Sequence, residues 1–517
     1  MKFAMFLSLA VLCGTFASPM SAQNPDKFVK DEVLVKFKTG LTDAARARAV
    51  DGVSVVETLA DTGWVRVKLG AGEDVNDAVG RFKGRREVVA VQPNFYYHLL
   101  LTPNDPQFGL AGMYGLSKIS APAAWDLTTG SSSVVVADID TGMRYTHQDL
   151  APNAWINTGE VAGNGVDDDN NGFIDDVYGW DFFYNDSNPI DDAGGHGTHT
   201  AGTIGAAGNN LLNVVGVNWN VKIMPIKIYS PNGADSTSAM LVNAYNYIRM
   251  MKLRGVNIRV TNNSYGGCGE ACGYDQATKD ALDAMGDAGI LNVFAAGNAN
   301  VNNDTNASPS YPAVYTSPSI LAVASSTSTD ARSSFSSWGP ISVDLAAPGS
   351  SVLSTYNTLD TATATLSGTS MATPHTAGAA ALLSAYNPNL SVASLKATLM
   401  NSVDVITTPT NWSQFVKSGG RLNVFAALQN QTVCTFTPSA STVAVRTKGG
   451  YYSVNISAPQ NCDYAVKTSS NWIKLSGPDA LSGNGTVTFR VTVNPSITRT
   501  GTVTVGGQTI TVTQSRS

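Results

Sequence analysis

The chain has 517 residues, 43% of them apolar, which exceeds one ordinary domain and supplies enough hydrophobic side chains for sizeable cores. Residues 102–517 carry 20 Lys and Arg against 28 Asp and Glu, a net charge of −8 that argues against a nucleic-acid partner. Beyond the N-terminal apolar run, no segment is long and apolar enough to span a bilayer.

In chain order, Met1-Lys2, the apolar run 3–12 and the small residues after it read as a secretory signal peptide over residues 1–22. Cleavage is placed after Ala22, with Thr15-Phe16-Ala17 as the alternative, and the mature protein is expected to be secreted and extracellular. Residues 23–101 alternate strand-like and helical stretches, beginning with the alternating strand Glu32-Val33-Leu34-Val35-Lys36-Phe37-Lys38, and contain no nucleophile constellation. Over residues 102–430 the pattern becomes βα alternation. Its strands include Val221-Lys222-Ile223-Met224-Pro225-Ile226 and Leu291-Asn292-Val293-Phe294-Ala295; one helix spans 237–254 and stops at Gly255, and another is capped by Ser391. This predicts an α/β, doubly wound, mainly parallel sheet. After Gln431 the composition shifts to Thr, Ser, Val and Gly; residues 486–493 alternate strictly, and 502–505 and 509–512 flank Gly506-Gly507-Gln508 as a hairpin. Residues 431–517 are therefore expected to form a β-sandwich.

Three segments of the α/β region carry chemistry. Val134-Val135-Val136-Ala137-Asp138-Ile139-Asp140-Thr141-Gly142 is a buried-strand pattern ending on a carboxylate and a turn glycine, where α/β sheets place their sites. His196-Gly197-Thr198-His199 opens a helix of small residues. Gly368-Thr369-Ser370-Met371-Ala372-Thr373-Pro374-His375 sets a serine where a loop becomes a helix, with unpaired backbone N–H groups around it. Together Asp140, His196 and Ser370 supply a nucleophile, its base and a carboxylate to orient the base. His196-x-x-His199 is not read as a zinc pair, because the HExxH arrangement is absent.

In this order and with these flanks the chain resembles the subtilisin-like serine peptidases, the subtilases, whose triad order is itself a reference case. The resemblance implies a serine endopeptidase that needs no catalytic cofactor. Ala295-Ala296-Gly297-Asn298 looks like the oxyanion segment, which gives Asn298 the side-chain donor role, and Asn263-Ser264-Tyr265-Gly266-Gly267 looks like the edge that pairs with substrate backbone, through Ser264, Tyr265 and Gly266. By the same resemblance, His199 and His375 are structural. Residues 23–101 are an inhibitory propeptide ending in Val88-Val89-Ala90-Val91-Gln92-Pro93-Asn94, cut among Leu99, Leu100, Leu101 and Thr102 so that the product is a zymogen-derived enzyme. The alternative function is an adhesion or glycan-binding protein with an inactive subtilase domain; the intact triad and Asn298 argue against it. Preference at the cleavage site depends on how residues 300–311 fold, and Asp304 favours a basic side chain only if it faces the pocket.

Asp167, Asp169, Asn171, Asp175 and Asp176 alternate oxygen donors around Gly172, as a structural Ca2+ loop requires, although Tyr178 stands where an EF-hand has its bidentate glutamate. A second Ca2+ site, through Gln107, Asp149 and Asn210, is implied only by the resemblance, and Asn213 replaces the usual glycine of its loop. Cys268, Cys272, Cys434 and Cys462 allow three pairings in an exported chain; the expectation is Cys434 with Cys462, leaving Cys268 with Cys272. The C-terminal segment resembles BACON-type immunoglobulin-like modules through Cys434, Cys462, Trp472-Ile473 and Val512-Thr513-Gln514, which implies a glycan contact; Trp472 itself is read as a core residue. The expected partners are protein or peptide substrates and the chain's own propeptide.

Overall fold

The computed structural model describes residues 28–515 except 52, 60–61, 97–100, 193, 232–235, 267–273 and 495–496. The signal peptide and the Cys268–Cys272 pairing lie outside the described residues. The chain forms two compact units, residues 1–99 and 100–517.

The first unit is a four-stranded antiparallel sheet in the order β2-β3-β1-β4, built from β1 (Phe28–Phe37), β2 (Ser54–Leu59), β3 (Trp64–Lys68) and β4 (Val88–Phe95). Alternation in β1 and β3 sends Val33, Val35, Val65 and Val67 to one face. There Ala49 of helix α1 (Asp43–Ala49) and Ala78 and Phe82 of α2 (Val75–Lys83) cover them.

The second unit opens with the short helices α3 (Tyr114–Lys118) and α4 (Ala121–Trp125), then builds a nine-stranded sheet. Its strands are β5 (Gly130–Asp140), β6 (Trp180–Asp181), β7 (Asn220–Lys227), β8 (Ile258–Asn263), β9 (Leu291–Ala295), β10 (Ile320–Ser326), β11 (Leu345–Pro348), β14 (Asp404–Val405) and β15 (Gly420–Arg421); β12 (Val352–Thr355) and β13 (Thr363–Leu366) form a separate hairpin. The order β14-β15-β11-β10-β9-β8-β5-β7-β6 is parallel apart from β14. Strand β5 sits between β7 and β8, so the winding direction reverses there, and the carboxyl ends of its neighbours diverge into a crevice.

The apolar run of β5 serves two cores. Val134 and Val136 join the cluster that contains α5 (His196–Gly205) and α8 (Thr369–Tyr386), while Val135, Ala137 and Ile139 join that of α6 (Ser238–Leu253) and α7 (Gln276–Asp287). Burial on both faces explains why this strand reads as a continuous apolar stretch instead of an alternating one. Thr237 caps α6 and Gly255, at φ 107°, follows its end; Ser391 caps α9 (Val392–Asn401).

After α10 (Val424–Gln429) the chain builds a sandwich of two sheets. One contains β16 (Thr437–Pro438), β18 (Gly450–Ser457), β20 (Ile473–Leu475) and β22 (Gly485–Val491); the other contains β17 (Thr442–Val445), β19 (Asp463–Thr468), β21 (Ala480–Ser482), β23 (Arg499–Val505) and β24 (Gln508–Gln514). The hairpin turn is Gly506-Gly507, both at positive φ, one residue shorter than the alternation implied. Cys434 and Cys462 form a disulfide. Trp472 is half-buried beside this core, and the Arg499 guanidinium covers its ring at 4.3 Å.

The sandwich is joined to the α/β domain by buried charge. Lys396 of α9, 5% exposed, lies 2.8 Å from Asp463 of β19 and 3.4 Å from Asp344, and Lys417 adds a 3.6 Å contact to Asp463. Burial disfavours this ammonium and carboxylate, yet the two aspartates hold the Lys396 pKa above its ordinary value, and Lys396 and Lys417 hold that of Asp463 below its own.

Candidate active site

Asp140 ends β5 with its side chain 3% exposed, and one carboxylate oxygen accepts from the Thr141 N–H and from His196 Nδ1, both at 2.7 Å. Helix α5 is docked on this turn by Thr141, whose hydroxyl accepts from the Gly197 N–H at 2.8 Å and donates to Asp191 at 3.1 Å. The approach demands glycine, since a Cβ at Gly197 would lie 2.1 Å from the Gly142 carbonyl oxygen. The His196 side chain remains 34% exposed, and its Nδ1–H donation to Asp140 leaves Nε2 as the basic nitrogen. Burial works against an imidazolium here, but the charge and the hydrogen bond of Asp140 outweigh it and raise the His196 pKa above the ordinary histidine value.

The other histidines are tied to backbone. His199 Nε2 donates to the Val352 and Ala364 carbonyls at 3.0 and 3.2 Å, His375 pairs through Nδ1 with the Met371 carbonyl, and His147 bridges the Ala362 carbonyl and the Asp149 N–H. Burial pushes the pKa of both His199 and His375 down to about 4.

Ser370 is the second residue of α8, beside the helix's unpaired N–H groups. Pro374, four residues on, has no N–H to give the Ser370 carbonyl, and that carbonyl accepts instead from the Ser264 hydroxyl at 2.9 Å. The Ser370 hydroxyl donates to the Ser264 carbonyl at 2.9 Å rather than to His196 in this structure. Asn298 is oriented by Thr369, whose N–H and hydroxyl donate to Oδ1 at 2.8 and 2.9 Å, which turns the amide nitrogen toward Gly368. Tyr265 is anchored behind the edge through Asn263 and Tyr245, and Gly266 adopts φ 135° with no room for a side chain below the Tyr311 carbonyl.

Ser264, Tyr265, Gly266, Asn298 and Ser370 line one cleft of about 520 Å³ with Val301, Asn306 and Ser310. Asp304 is turned away from it, its two oxygens accepting from the Ile341 and Ser342 N–H groups at 2.8 and 2.9 Å. A cleft of similar size, about 510 Å³, between α7 and the sandwich holds none of the expected site residues.

The acidic loop brings Asp169 and Asp176 together with Glu160, one oxygen of each lying within 4.8 Å of the others. Among the described residues it is the one group of three such side chains placed so that it could hold a metal ion. Asn171 faces the same two aspartates. Asp167 and Asp175 instead hold the loop's backbone, Asp167 through the N–H groups of Asn171 and Gly172 and Asp175 through those of Asn164 and Gly165. Glu160 is invisible to the local acidic pattern, since it precedes the loop and joins it only through folding. Burial, the dominant cause, pushes the Asp176 pKa up to about 6.

At the second expected site, Asp149 accepts from Asn210 at 3.2 Å and from the Val214 N–H, and the Gln107 N–H donates to the Asn213 carbonyl. Asp105, which is not among the ligands that the resemblance implies for this site, is buried beside them with one oxygen unpartnered. Burial raises the pKa of both Asp105 and Asp149.

Two family models match: the subtilase family over residues 131–424 and the fervidolysin N-terminal prodomain over residues 15–94. The chain belongs to the subtilase family. Among relatives, thermitase of Thermoactinomyces vulgaris is 37% identical over 329 residues, covering 63% of this chain and 99% of that protein. The thermophilic serine proteinase of Bacillus sp. (strain AK1) is 30% identical over 364 residues, 70% of this chain and 80% of the relative. Subtilisin E of Bacillus subtilis is 30% identical over 435 residues, 82% of this chain and 98% of the relative. This subtilase is thus a serine peptidase carrying an N-terminal prodomain, and no helix among its described residues is long and apolar enough to cross a membrane.

Proposed function

We propose that this subtilase is a secreted, calcium-stabilised endopeptidase in which Ser370 attacks the scissile carbonyl, His196 Nε2 takes its proton and returns it to the leaving amine, and Asp140 fixes the Nδ1–H tautomer. The observation that carries the reading is the 2.7 Å bond from His196 to a carboxylate otherwise withdrawn from solvent. It sets the tautomer and stabilises the imidazolium that forms. The Ser370 hydroxyl has to rotate from the Ser264 carbonyl toward Nε2 when substrate binds, consistent with catalytic hydrogen bonds that tighten only in the complex. The tetrahedral oxyanion is held by the Ser370 N–H and the Asn298 amide nitrogen.

An extended substrate pairs its backbone with the edge at residues 264–266, and the neighbouring side chain enters the 520 Å³ cleft. With Asp304 spent on backbone N–H groups, that cleft offers no charge and suits a large apolar or aromatic side chain over a basic one. Calcium is proposed at Glu160, Asp169, Asp176 and Asn171, with a second ion near Gln107, Asp149, Asn210 and Asp105; each would supply structural charge compensation and no reaction step. The prodomain is proposed to inhibit until the chain is cut within residues 99–102, and the sandwich, as a BACON-like module, to contact glycans through a surface other than the covered face of Trp472.

Ser370→Ala tests the reading: mass spectrometry is expected to find the propeptide retained and peptide cleavage abolished. Autonomous processing by the purified variant would sink it.

A further inference from the structure

Behind the triad lies a second acid that the proposed mechanism does not use. Asp138 precedes Asp140 by two residues on β5, so both side chains point to the face covered by α5. It is 2% exposed. One oxygen accepts from the Asn262 amide at 2.8 Å, and the same amide nitrogen reaches the Ser264 hydroxyl at 3.0 Å. The other lies 3.0 Å from the Thr200 hydroxyl on the helix that carries His196.

The Thr200 hydroxyl also lies 2.9 Å from the Gly197 carbonyl, and it has a single proton. If that proton goes to the carbonyl, as is usual for a threonine bonding back within its helix, the contact to Asp138 needs its proton from the carboxyl group. The surroundings agree. The titratable groups facing Asp138 are Asp140, which repels a second anion, and His196, which is already committed to Asp140; Asn262 and Thr200 are neutral. Burial first, and Asp140 second, drive its pKa well above the carboxylate range.

Resting on the triad reading above, we infer that Asp138 is a positioning residue held un-ionised, a neutral tie between the strand of Asp140, the helix of His196 and, through Asn262 and Ser264, the backbone of Ser370. It touches neither substrate nor reacting atoms. As a neutral carboxyl it fixes three elements without adding a charge that would make His196 a harder imidazolium to deprotonate.

The test compares D138N and D138L in the processed enzyme. Leucine keeps the volume and removes every hydrogen bond, so kcat is expected to fall about 10- to 100-fold with KM nearly unchanged, the scale of a small misplacement of catalytic groups. Asparagine can accept from Asn262 and donate to Thr200, so D138N is expected to recover most of kcat with the acid limb of its kcat/KM profile where the wild type has it. Infrared difference spectra of wild type minus D138N at neutral pH are expected to contain the carbonyl stretch of a buried un-ionised carboxyl. A D138L enzyme with wild-type kcat would overturn the tie. A downward shift of the acid limb in D138N, or carboxylate bands alone in the spectrum, would show an anion and overturn the neutral state. Should D138L fail to fold, the D138N profile and the spectrum decide. A wild-type protein without peptidase activity would instead sink the triad reading and leave the infrared band still measurable.

Discussion

Asp463→Asn removes a carboxylate that the sandwich lends to the α/β domain. Lys396 sits 2.8 Å from it and 5% exposed, so at an effective dielectric of about 20 the attraction is about 6 kcal/mol before desolvation is counted. Stripping one partner from a buried pair destabilises by roughly 3–5 kcal/mol. Because Asp344 remains at 3.4 Å and the amide can still accept a hydrogen bond, the expected loss is at the lower end, about 3 kcal/mol. At about 2 °C per kcal/mol, Tm should drop by about 6 °C. By contrast, the more open pairs Lys279–Asp479 and Lys467–Asp287 are worth about 0–1 kcal/mol each. Calorimetry of the full chain in a Ser370→Ala background avoids autolysis, and a double-mutant cycle with Lys396→Met isolates the pair. A coupling below about 0.5 kcal/mol, or an unchanged Tm in Asp463→Asn, would refute the electrostatic joint. The pH sign follows from the shifts: Asp463 is depressed, so its contribution is present above the ordinary carboxylate range and lost as pH falls through its folded value, whereas Lys396 is raised, so its contribution is lost only in strong base.

Asn298→Ala is expected to slow peptide turnover about 100- to 1000-fold with folding intact, the range known for subtilisin's oxyanion asparagine and borrowed from it; unchanged kcat would assign the oxyanion to another donor. Because Asp140 raises the His196 pKa, the acid limb of kcat/KM should fall above the ordinary histidine value of about 6.5, and Asp140→Asn should abolish the feature along with most activity. Chelation should lower Tm, by about 2.7 kcal/mol of stability if calcium stands at a hundredfold excess over its Kd, and Glu160→Gln with Asp176→Asn should erase more of that response than Asp167→Ala. Identical melting curves with and without chelator would reject calcium at both loops.

Strand β9 and the caps of α6 and α9 were legible because their signals are local: an apolar run of strand length, a threonine or serine before a periodic stretch, a glycine after it. The proposed triad stands out in the sequence for a different reason: each of its members sits in a short motif of small residues that permits close approach. What the sequence hid depends on tertiary approach. Glu160 reaches the acidic loop from outside it, Asp105 meets Asp149 across many intervening residues, and Asp304 looks equally able to line the pocket or bind backbone until the loop's path is known. Asp138 was visible as an acid in an apolar strand, but only Thr200 and Asn262 tell which way it is used.

The exchange of bonds between Ser264 and Ser370 limits how the enzyme can diversify. Pro374 opens a gap in the ladder of α8, and the Ser264 side chain fills it, so the proposed substrate edge and the proposed nucleophile move as one piece. Grafting another edge sequence without a hydroxyl at position 264 would leave a buried carbonyl unpaired and the nucleophile loose. Residues 300–311 carry no such tie to Ser370, which makes that loop the economical place for selection, or an engineer, to rewrite which side chains the cleft accepts.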